Sequence, residues 1–206
     1  MRDAAPPRYE LFALRYATRE ARRRDHFIGG DPHDAPMPMD YFVWVAVSGA
    51  RAFVIDCGFT QAMAAKRNRT FLRCPVASLR LLNVDPDAVE DVILTHLHYD
   101  HVGNHDAFRI ARFHLQETEM QYATGRYMRY GHLSHAFEVD DVCGIVRLNY
   151  AQRVAFYDGD AELAPGITLH RAVGHSAGLQ FVRVHTERGW VVIAAEVAHL
   201  YENFDA

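Results

Sequence analysis

Four side chains able to bind a metal ion fall within six residues, in the run Thr95-His96-Leu97-His98-Tyr99-Asp100-His101. The run directly follows Asp91-Val92-Ile93-Leu94, a short apolar and β-branched stretch that reads as a buried strand. In an extended segment residues two apart project to the same side, so His96 and His98 are placed to converge on one ion. Asp100 and His101 follow once the chain has begun to turn, where they can face a second ion beside the first. Neutral imidazoles and a carboxylate are ligands that a borderline ion such as zinc accepts. Histidine is frequent here, 13 of 206 residues, so the spacing and the strand before it carry the reading rather than the count.

Thr-His-x-His-x-Asp-His after a hydrophobic strand resembles the signature of the metallo-β-lactamase superfamily. Two more stretches stand where that superfamily has them. Phe53-Val54-Ile55-Asp56-Cys57-Gly58 resembles the strand ending in Asp-x-Gly that buttresses the site. Val173-Gly174-His175-Ser176-Ala177-Gly178 resembles the loop carrying the third histidine of the first ion. Leu-His-Tyr-Asp-His-Val-Gly-Asn and the late Ala-His-Leu-Tyr-Glu-Asn-Phe are most similar, within the superfamily, to N-acyl homoserine lactone hydrolases. The resemblance implies His96, His98 and His175 on a first zinc ion and Asp100 and His101 on a second. Metal-activated water would then attack the lactone carbonyl, with Asp100 passing a proton to the leaving oxygen. Asp56 is expected to anchor a histidine or a backbone amide rather than bind metal.

Two positions depart from the family. Where a bridging Asp is usual, this chain has Glu196, after Val191-Val192-Ile193-Ala194-Ala195. The added methylene moves the carboxylate outward by on the order of 1.5 Å, enough to disturb a ligand shell built to about half an ångström. Glu196 is therefore expected either to bridge or to contact a single ion. The family also carries a further helix and strand and then a final histidine ligand, yet no histidine follows His199. Either the natural protein is longer than this sequence, as the helix-like opening Tyr201-Glu202-Asn203-Phe204 suggests, or the second site is incomplete. His199, three residues after Glu196, is placed to donate a hydrogen bond to the oxyanion, to replace the absent ligand, or simply to start a helix.

A chain of 206 residues, half of them apolar, is enough for one domain spanning 1–206. The net charge of −4 argues against a nucleic-acid binder, and the basic run Arg19-Glu20-Ala21-Arg22-Arg23-Arg24 is offset by Glu20 within it and Asp25 after it. No apolar stretch approaches the length of a membrane span, and the N-terminus shows no secretory pattern. Cys57, Cys74 and Cys143, odd in number and widely spaced, suit reduced thiols in the cytoplasm.

Strand-like runs at 10–16, 41–48, 52–56, 153–157, 167–172, 180–185 and 190–195 alternate with helical ones at 60–68, 76–82 and 116–123. Gly49-Ala50 and Gly189 supply hairpin turns. The pattern is α/β (α+β), with layered sheets covered by helices. The resemblance implies the specific form, an αββα sandwich with the metals at one edge between the sheets, here either with or lacking its C-terminal helix and strand. Phe27, Ile28, Met37, Met39 and Tyr41 are candidates for a roof over a small-molecule substrate. Tyr122, Tyr127, Met128 and Tyr130, in an aromatic insert at 125–137 and just before it, are candidates for an opposite wall, for core, or for a homodimer contact.

The expected activity is opening of an N-acyl homoserine lactone by a two-zinc hydrolase. Alternatives are another lactone, ester, thioester or β-lactam as substrate, or a catalytically weak metal-binding homologue.

Overall fold

Apolar alternation and tight turns shape residues 6–204, those the computed structural model describes, into two stacked sheets. The strands are β1 Glu10–Arg19, β2 Met39–Ser48, β3 Arg51–Ile55, β4 Thr70–Phe71, β5 Asp91–Ile93, β6 Arg112–Gln116, β7 Val154–Tyr157, β8 Ala161–Ala164, β9 Ile167–Arg171, β10 Gln180–Thr186 and β11 Gly189–Ile193. The α-helices are α1 Gln61–Lys66, α2 Pro75–Ser78, α3 Tyr99–Val102, α4 Glu117–Ala123, α5 Gly131–Ser134 and α6 Val139–Tyr150. The larger sheet runs β4-β1-β2-β3-β5-β6-β7 and the smaller β11-β10-β9-β8. Strands β1 to β3 are antiparallel, whereas β3, β5, β6 and β7 are parallel.

Val92 and Ile93 of β5 are both fully buried because this central parallel strand is covered on both faces. Ile93 joins Phe53 and Ile55 against Ile167, Leu169, Val182 and Val184 of the smaller sheet. Val92 faces the other way, into a core with Phe59, Leu79, Phe113 and helix α6 residues Val142 and Ile145. Each such side chain contributes about 1.5–3 kcal/mol on burial. In β10 the alternation is visible directly: Gln180, Val182, Val184 and Thr186 point inward and are buried.

The hairpins β2–β3 and β10–β11 close through two-residue loops, and Gly49 in the first and Gly189 just after the second have positive φ (60° and 101°). Their register brings the ends of β3, β5, β9 and β11 and the start of β10 to one edge. There Gln180 N–H donates to the Thr95 carbonyl at 2.9 Å, joining the two sheets.

Several elements differ from the sequence expectation. The longest helix, α6, and strand β6 arise in stretches that the pattern does not single out. Gly144 sits inside α6 because the His105 imidazole occupies the space a Cβ would need. The expected helix at 76–82 is α2 followed by a 3-10 turn, Leu79–Leu82, ended by Asn83 in the left-handed conformation. The insert at 125–137 is a 3-10 turn, Arg126–Arg129, and the short α5. The last strand stops at Ile193, and after Tyr150 the described residues form no further α-helix. No described helix is long and apolar enough to cross a membrane. All three cysteines are free, with Cys57 buried in the core.

Candidate metal centre

The histidine run sits where β5 has ended, and its backbone changes from extended at His98 to helical in α3. His96 and His98 thus leave the strand edge, while Asp100 and His101 lie on the first turn of the helix. His175 arrives from the β9–β10 loop, 77 residues from His98 in sequence, and places Nε2 3.0 Å from His98 Nδ1. Glu196 follows β11 after Ala195, whose positive φ of 50° redirects the chain toward the histidines.

Glu196 Oε2 is the centre of the cluster. It lies 2.6 Å from His175 Nε2, 3.1 Å from His96 Nε2 and 3.5 Å from His101 Nε2. Ligand atoms of His96, His98, His175 and Glu196 all fall within 4.8 Å of one another, and so do those of Asp100, His101 and Glu196. One carboxylate is therefore common to both groups. His199 lies 3.0 Å from Glu196 Oε1 and is not within either group.

Asp56 stands behind the site. Its backbone is left-handed (φ 65°), and its carboxylate accepts from Thr95 N–H at 2.8 Å and from the Thr95 hydroxyl at 2.9 Å. The same carboxylate lies 2.8 Å from His101 Nδ1, which fixes the proton on that nitrogen and leaves Nε2 for the site. The Thr95 oxygen is 3.2 Å from His96 Nδ1 and orients that ring in the same way. His96 is wholly buried, and its Nε2 has no hydrogen-bond partner.

Burial, with His96 and His175 beside it, holds His98 neutral far below the usual histidine range. Burial opposes protonation of His101 as well, but Asp56 and Asp100 outweigh it and push His101 well above that range. Burial would raise Glu196, yet the imidazoles of His101, His175, His199 and His96 gathered around it bring it well below the usual carboxylate range. Asp100 is raised, by burial first and by the charge of Glu196, against the pull of His101.

These residues fit a bound metal. An orphaned buried imidazole nitrogen points at a carboxylate oxygen, and two further imidazole nitrogens stand 3.0 Å apart. Zinc–nitrogen bonds of about 2.0 Å in a tetrahedron place ligand nitrogens about 3.3 Å apart. His96, His98 and His175 would hold one ion, Asp100 and His101 a second, with Glu196 shared.

A cavity of about 600 Å³ opens beside Asp100, His101, Glu196 and His199, with Tyr41, Phe42 and Trp44 along its wall. Met39 lines it too, whereas Ile28 is fully exposed. Phe137 packs its edge on His98 with ring centroids 4.6 Å apart, and Tyr122 packs on Phe137. Two other histidines serve packing. His114 bridges Asp91 and Tyr157, both at 2.9 Å, and His170 stacks on Phe181.

The fold is shared with solved lactonases. The structure superimposes on a quorum-quenching N-acyl homoserine lactone lactonase with a TM-score of 0.77 at 20% identity, covering 98% of this chain and 79% of that one. For AidC, described as a dizinc quorum-quenching lactonase, the TM-score is 0.66 at 15% identity, over 92% and 71% of the two chains. Residues 37–204 match the profile of the Metallo-beta-lactamase superfamily, and the chain belongs to that superfamily. It is also similar to the N-acyl homoserine lactonase AiiA of Bacillus thuringiensis subsp. kurstaki, at 31% identity over 128 residues. Those residues are 62% of this chain and 46% of that protein, so the chain spans about half the length of the curated relatives it matches.

Proposed function

We propose that the protein is a zinc-dependent hydrolase that opens the ring of an N-acyl homoserine lactone. The observation that carries this reading is the convergence of His96, His98, His175 and the Asp100–His101 pair on the single carboxylate of Glu196. The lactonase relatives and the apolar wall beside the site support the choice of substrate.

Zinc, when bound, supplies a Lewis acid for the carbonyl and lowers the pKa of water toward neutrality. Thr95 aims the His96 ring, and burial holds His98 neutral. Glu196 spans the two ligand groups and fixes their separation. Asp100, at the cavity, gives a proton to the ring oxygen as it departs. His199 donates a hydrogen bond to the carbonyl oxygen as its charge grows. The acyl chain lies along Tyr41, Phe42 and Trp44, which exclude water from the reacting carbonyl.

The test is to incubate zinc-loaded protein with an N-acyl homoserine lactone and titrate the acid released. Ring-opening well above the buffer rate, abolished by His96→Ala, is expected. No acid release, or equal release by His96→Ala, refutes the reading, and a panel of other lactones, esters and thioesters identifies a different substrate.

A further inference from the structure

The two histidine loops come from different sheets, and one side chain outside the ligand groups touches both. Glu119 of α4 is completely buried. One carboxylate oxygen accepts from the backbone N–H of Leu97 at 3.0 Å, between His96 and His98. The other accepts from the backbone N–H of Gly178 at 2.9 Å and from the Ser176 hydroxyl, immediately after His175. Three donors, all neutral, satisfy this buried carboxylate, and two of them are main-chain groups. Gly178 is matched to the contact, since a Cβ at that position would overlap the backbone and Cβ of Glu119.

We propose that Glu119 is the positioning residue that presets the three-imidazole geometry of the first metal group by clamping the His96–His98 loop to the His175 loop. This rests on the metal-centre reading given above. Gln180 already ties the strand stems together, through its N–H to Thr95 O at 2.9 Å and its side-chain amide to Leu94 O at 2.8 Å. Glu119 acts further out, at the loop tips, where a ligand shell must be held to about half an ångström. Without its acceptor, the Leu97 and Gly178 amides lose their partner and the His98–His175 spacing of 3.0 Å is no longer enforced. The ion then has to organise its own ligands, and affinity falls.

Glu119→Gln keeps the shape but leaves one oxygen to accept where there were two. Zinc affinity is measured by competition with a chromophoric chelator, the first group is monitored by the visible spectrum of the cobalt-loaded protein, and folding of the chelated protein is followed by circular dichroism. The expected result is a loss of 10–100-fold in affinity for the first equivalent. An altered cobalt spectrum should accompany it while the chelated variant stays folded. Ser176→Ala, which removes only one of the three donors, should give a smaller loss in the same direction, and it decides the matter if Glu119→Gln does not fold. Wild-type affinity and an unchanged cobalt spectrum in the folded Glu119→Gln variant, or in Ser176→Ala when that variant decides, overturn the proposal. If the wild-type protein takes up no zinc, the proposed function fails first.

Discussion

Asp56→Asn isolates the support behind the second ligand group. Asparagine tolerates the left-handed φ of 65° at this position, so the backbone is not newly strained. The side-chain amide can still accept from Thr95 N–H through its oxygen, now made at 2.8 Å. Its NH2 cannot accept from His101 Nδ1, where the carboxylate now sits at 2.8 Å. Losing a charge-assisted bond between two largely buried groups costs about 1.5–3 kcal/mol. The metal-free variant should therefore unfold with about 2 kcal/mol less stability. The larger effect falls on metal: without a fixed Nδ1 proton, His101 Nε2 is no longer the obligatory donor, and affinity at this group should fall about 10–100-fold, or about 1.4–2.7 kcal/mol. Stepwise competition with a chelator resolves the two equivalents, and only the one assigned to Asp100 and His101 should weaken by this much. If both equivalents bind as in wild type and the melting temperature is unchanged, the Asp56–His101 bond does not aim the ligand.

His199→Phe should lower kcat/KM about 10²–10³-fold while zinc content stays constant; loss of zinc would instead make His199 a ligand. In metal-free protein, His98 and Glu196 both have folded values below their unfolded ones, so the stability they contribute is lost as pH falls. The melting temperature after chelation should accordingly drop from about pH 6.5 downward, first through His98 and then through Glu196; a flat acid limb would contradict this. Asp141, raised from 3.8 to about 6 mainly by burial, is disfavoured as an anion by at most about 3 kcal/mol, reduced to about 1 by its partial exposure. Its ionisation lowers stability as pH rises from about 4 through 6, so Asp141→Asn should stabilise the protein at pH 8 and not at pH 3; denaturant midpoints at the two values check it.

Much of the site is legible in the sequence because its ligands are local. A strand followed by a turn dictates where His96, His98, Asp100 and His101 can point, whatever the rest of the chain does. The shared placement of Glu196 is not legible, because it depends on the left-handed Ala195, a conformation that alanine rarely adopts. Glu119 escapes notice because it lies in a short helix beside Glu117, where acidic residues usually face water. The signal is positional: Glu119 is one turn from buried Ala123, a charge on the apolar stripe of its helix. Helix α6 carries an apolar stripe of Val142, Ile145 and Leu148, interrupted by Gly144, whose reason is the distant His105 ring. Strand β6 merges in sequence with the helix it enters, and only its pairing with β5 and β7 separates them.

The proposed activity requires a metal held by imidazoles from two separate loops. Anomalous scattering at the zinc edge from crystals of the zinc-loaded protein tests it most directly. One peak among His96 Nε2, His98 Nδ1, His175 Nε2 and Glu196 Oε2, with a second against Asp100 and His101, is the predicted result. A fully loaded crystal with no peak among those nitrogens contradicts it.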